Sequence, residues 1–181
     1  EVRRQERHSP GNQVITMATD QSVADEQGEQ VQFESHVRNG AVLMALAGIA
    51  FVGYGIVFLV LNFVGSGFEL GVSTLAGMTA ADLDPTVAYY ISHLHVATAA
   101  FIISTGIAVA ALSWYGVRQR LTWAWATAIV SAVVGLALAL PMHWTADAFS
   151  HDWVTHLGPI YLATVVFLVG VVVSYRGLRT A

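Results

Sequence analysis

The chain has 181 residues, 55% of them hydrophobic and only 11% charged, with a formal net charge of −4 and no cysteine. Soluble domains carry about a quarter charged residues, so this composition disfavours a soluble enzyme, and the mean hydropathy of +0.60 agrees. The missing thiol excludes cysteine nucleophiles, iron–sulfur clusters, zinc ribbons and disulfides, while eight Arg and no Lys in an acidic chain leave no basic footprint for nucleic acid.

Residues 1–39 are polar, with Arg3, Arg4 and Arg7 followed by Asp20, Asp25, Glu26, Glu29 and Glu34. Nothing there is apolar enough for a secretory signal core, and the composition predicts a poorly ordered cytoplasmic segment. Met17-Ala18-Thr19 reads as an alternative start, with residues 1–16 then lying outside the native chain.

Four long apolar runs follow, at residues 40–64, 87–115, 121–142 and 157–175, and none contains Asp, Glu or Arg. A charge at the centre of a membrane helix costs about 2.5–3.5 kcal/mol, and roughly 20 apolar residues span a bilayer. The soluble alternative, a bundle of amphipathic helices, requires a polar stripe every 3.6 residues that these runs lack. The expected fold is therefore an all-α, integral membrane four-helix bundle in antiparallel up-down order, closed by a short tail at residues 176–181.

Between the first two runs, Gly65, Gly67, Gly71 and Gly77 punctuate Phe68, Leu70, Val72 and Leu75, a pattern that fits either a short hairpin or a loop over the mouth of the bundle. Thr79 with Asp82 three residues on predicts a brief capped turn. Asp84-Pro85 is a sharper signal: Asp accepts an orphan amide hydrogen bond at an N-cap, and Pro fits the first helical position.

Lipid gives helices no hydrophobic reason to associate, so close packing through small residues must do it. Gly106 and Ala110 supply such a row in the second run, Ser131, Gly135 and Ala139 in the third, and Gly170 and Ser174 in the fourth. Ala124, Ala128 and Ala132 form a second row on an adjacent face of the third run, and Gly48, Gly53 and Gly55 lie in the first.

Arg38, Arg118, Arg120, Arg176 and Arg179 flank the runs on one side, whereas residues 65–86 and 143–156 contain no Arg. The positive-inside rule then puts both termini in the cytoplasm of a multi-pass cell-membrane protein. Trp114, Tyr115, Trp123 and Trp125 are expected at the inner interface, and Tyr89, Tyr90, Trp144, Trp153 and Tyr161 at the outer one.

That topology gathers His93, His95, His143, His151 and His156 at the outer end. Imidazole ligates metals and haem, which makes His93, His95, His143 and His156 candidate cofactor ligands, with Asp147 and Asp152 as oxygen donors to a metal. His93 and His95 point about 200° apart on a helix, so at most one faces inward. The competing reading makes these groups interfacial, with His143 supplying a donor to the last carbonyls of its helix. HExxH, GxSxG and Gly-Lys phosphate-loop signatures are missing.

The four-run layout, with Trp114-Tyr-Gly116 leading into Arg118-Gln-Arg-Leu-Thr-Trp-Ala-Trp125, resembles the broad class of small four-helix membrane proteins that includes DoxX-like families. Some of those are associated with quinone-linked respiration. The resemblance implies the helical fold and carries over no functional residue, since residues 40–64 lack the charge such families often hold in their first helix. The expected function is non-enzymatic binding in the bilayer, with a second copy or a larger membrane complex as partner; the alternative is a redox protein holding haem or a His-ligated metal.

Overall fold

Gln, Glu and Ala, all good helix formers, fill the polar stretch ahead of the first apolar run, and the chain is already helical there. The computed structural model of the protein describes residues 10–64, 82–145 and 157–179. Helix α1 (Pro10–Val64) is continuous for 55 residues, about 82 Å at 1.5 Å per residue. Residues 10–39 of the segment expected to be poorly ordered thus form the start of this helix. Packing anchors its last turns: Val37 and Ala41 are buried, and Gly177 lies against Phe33 and Val37. Residues 23–32 are exposed and extend the helix beyond the bundle.

Helix α2 (Pro85–Ala111) starts where the sequence predicts. Asp84 is its N-cap, with Oδ1 accepting from the Thr86 amide at 2.8 Å and Pro85 in the first turn. Its other end differs from the regular helix expected through residue 115. The backbone widens into a π-turn (Leu112–Gly116) and then tightens into a 3-10 turn (Val117–Gln119). Buried Ser113 keeps its hydroxyl satisfied by donating to the Val109 carbonyl at 2.7 Å. Arg120, at φ 62°, closes the turn: its amide bonds Val117 O at 2.8 Å and the Leu121 amide bonds Gly116 O at 3.1 Å. Those two bonds make a Schellman motif, with Arg in the left-handed position that usually holds Gly.

Helix α3 (Thr122–Ala139) is shorter than the run 121–142, because Pro141 has no amide to continue the ladder. A single turn, α4 (Met142–Thr145), follows. Helix α5 (Gly158–Leu178) begins at Gly158-Pro159 and outlasts its apolar run by three residues. Its buried positions Ala163, Phe167, Gly170, Ser174 and Gly177 fall at alternating spacings of four and three, a single stripe facing α1.

Glycines set how closely α1 approaches its neighbours. A methyl group on Gly48 would lie 2.7 Å from Gly106 O, and one on Gly106 would lie 2.6 Å from Gly48 O. Gly40 and Gly170 oppose each other in the same way. Ascending positions along α1 meet descending positions along both partners: Val37, Gly40 and Met44 face Gly177, Ser174 and Gly170, while Gly48 and Gly55 face Gly106 and Ala99. Ala41, Met44 and Ala47 then join Val109, Val117, Ala128, Ala132 and Phe167 in one core.

That core lies toward the Arg-bearing end. Trp125 of α3, expected at the inner interface, packs against that core: its Nε1 donates to Ser174 Oγ at 3.1 Å and its indole stacks on Tyr175 at 5.5 Å. Trp114, Tyr115 and Trp123 are exposed at this end, as an aromatic belt requires.

Candidate functional site

Polar groups at the opposite end of α1 and α2 are set by helical spacing. Tyr54, Phe58 and Asn62 recur every four residues on α1, one face of a helix, and that face meets α2. Phe58 contacts His95 edge-on, with ring centroids 5.1 Å apart. One turn further, Asn62 Nδ2 donates to Ser92 Oγ at 2.8 Å, and Asn62 Oδ1 is buried with no hydrogen-bond partner in the structure. Asn62 and Ser92 were passed over in the sequence. The available signal was an amide inside an otherwise apolar run, where a polar side chain is costly and needs a partner.

The predicted ligands divide. His95 is half-buried against Phe58, whereas His93 is exposed, the divergence that helical geometry requires for positions two apart. His143 is half-buried and its Nδ1 lies 3.1 Å from Ala139 O, the capping contact expected of a donor at the end of α3. His156, His151, Asp147 and Asp152 lie outside the described residues, as do the loop at 65–81, Thr79 of the expected capped turn, and Trp153. Among the described residues, no group of three or more His, Asp or Glu is close enough to hold a metal ion.

Asp84 is the titratable group here whose environment is plain. It is exposed, and the hydrogen bond from the Thr86 backbone amide, followed by one from the Thr86 side chain, holds its carboxyl below the ordinary value of 3.8. The cause is stabilisation of the ionised form by its donors.

Away from the core the helices separate and leave two apolar clefts. One, of about 260 Å³, lies between α2 and α3 and is walled by Phe51, Thr98, Phe101, Gly135, Leu136 and Ala139. The other, of about 750 Å³, lies between α1 and α5 and is walled by Leu46, Tyr54, Phe58, Leu61, Pro159 and Leu162. A third recess, at the Arg-bearing end, is polar and is formed by α1 and the turn between α2 and α3.

Four helices, each long and apolar enough to cross a bilayer, mark a multi-pass membrane protein. Comparison with protein-family models, curated proteins and solved structures finds no match for this chain. The resemblance to the DoxX-like class therefore rests on helix layout alone.

Proposed function

We propose that this protein sits in the cell membrane with both termini in the cytoplasm, its helices alternating in direction, and works by lateral binding and not by catalysis. Its partner is a second copy or a larger membrane complex. One observation carries the reading. Of the small-residue rows, Gly106 and Ala110 are covered by Gly48, and Gly170 and Ser174 by Gly40. Of the two rows on α3, Ala124, Ala128 and Ala132 are buried, but among the described residues the Ser131, Gly135 and Ala139 row is not covered: Gly135 is exposed, with nothing within 4 Å of where a Cβ would stand, and Ala139 is exposed beside it. Small residues in lipid are useful where another backbone approaches closely, so the open row fits a helix from outside the chain.

A cysteine-free chain makes the test clean. Gly135→Cys, oxidised in native membranes, is expected to give an intermolecular cross-link, to itself or to a second polypeptide. Leu168→Cys, on the exposed surface of α5 and outside the clefts, serves as the control. Equal cross-linking of the two would show random collision in the bilayer and would defeat the proposal.

A further inference from the structure

The polar recess at the Arg-bearing end brings together two stretches about eighty residues apart in sequence. On α1, Arg38 neighbours Glu34 at i,i+4 and Ser35 at i,i+3 spacing along one wall, and the far wall is Arg118, Gln119 and Arg120. Its volume is about 470 Å³. Three Arg therefore line one concavity against a single acidic residue, Glu34. Among the described residues, none of the three Arg is within ion-pair distance of a carboxylate. The recess thus carries an excess of positive charge, which favours an anion there.

One further contact restrains one of these cations, and a backbone feature singles out another. Arg118 lies over the Trp114 ring, 4.1 Å from its centroid, a cation–π contact that restrains its guanidinium. Arg120 occupies the left-handed position of the turn, a backbone conformation that Gly adopts freely and a residue with a Cβ does not. Backbone geometry alone would favour Gly there, so the side chain that stands in its place is a candidate for a functional role.

We propose that this recess binds a phosphate-bearing anion, with Arg38, Arg118 and Arg120 as its ligands. The guanidinium fork matches phosphate oxygens bidentately. Exposed Trp114, Tyr115 and Trp123 surround the turn, and such aromatics lie at headgroup level. The phosphodiester of an anionic lipid is thus within reach. Soluble phosphate offers the same chemistry. The inference is independent of what covers the open row on α3.

The test is native mass spectrometry of the full chain released from nanodiscs containing equal phosphatidylglycerol and phosphatidylcholine, alongside thermal melting in detergent with added inorganic phosphate. Wild type is expected to retain phosphatidylglycerol preferentially. Arg38→Gln and Arg120→Gly should each lower that retention about fivefold, the factor for one cation at a membrane surface. Arg176→Gln, outside the recess, should not. Arg120→Gly also relieves the backbone, so it should melt higher than wild type while holding less lipid, a pair of changes that a purely structural role does not produce. Lipid retention without a response to inorganic phosphate assigns the site to a headgroup; stabilisation by phosphate that Arg38→Gln abolishes assigns it to a soluble ion. Absence of both, or equal loss in Arg176→Gln, overturns the proposal.

Discussion

An ionised carboxylate accepts a backbone amide better than a neutral carboxyl does, and Asp84 puts that difference at the start of α2. Because its folded pKa lies below the ordinary 3.8, its contribution to helix stability is complete above that value and is lost as pH falls through the depressed one. Hydrogen exchange at the Thr86 amide measures it: protection should drop in wild type at the acid end of that range. Asp84→Asn keeps an acceptor that does not titrate and should keep protection throughout, while Asp84→Ala should be unprotected at every pH. A wild-type profile as flat as that of the Asn variant would remove Asp84 from this role. Asp84-Pro85 was legible because a cap is local, with acceptor and donor two residues apart. Ser174 shows the contrary case. Its oxygen accepts from Trp125 across 49 positions and donates to Gly170 one turn back, and no spacing rule identifies such a pair in advance. The contacts that pack Trp125 against the core are for that reason not legible in the sequence.

The elements reproduce the four apolar runs but not their ends, for reasons of packing and backbone supply. Helix α1 begins thirty residues ahead of its run, with Phe33 and Val37 packing on Gly177 in the turns nearest the bundle, and α3 stops early at Pro141. Small-residue rows were visible in the sequence, whereas which rows close within the chain depends on the neighbours that the fold supplies. Gly106 and Gly135 separate the two situations. Gly106→Leu drives a side chain into the Gly48 backbone and should cost roughly 1–3 kcal/mol, the usual range for overpacking, read as a lowered midpoint in denaturant titration of the detergent-solubilised protein. Gly135→Leu meets open space and should leave that midpoint unchanged. A similar loss in both variants would mean that α3 uses its row inside the bundle.

At the scale of the whole molecule, core and charge lie together. The buried cluster, the Trp125–Ser174 link and the recess of Arg38, Arg118 and Arg120 all occupy one end, while the Asn62–Ser92 pair and the apolar clefts lie toward the other. Among the described residues, the core fastens one half of the bundle, and the clefts in the other half leave room for a lateral partner without loss of that core. If the fastened end faces the cytoplasm, as proposed from the Arg flanks, the two ends must differ in chemical access. Cysteine introduced at Gln119, in the Arg-bearing turn, should resist a membrane-impermeant maleimide in intact cells and react once they are permeabilised. Cysteine at Val64, the exposed last residue of α1, should react at once. With no native thiol to compete, the reverse pattern would invert the topology and move the phosphate recess to the outer leaflet.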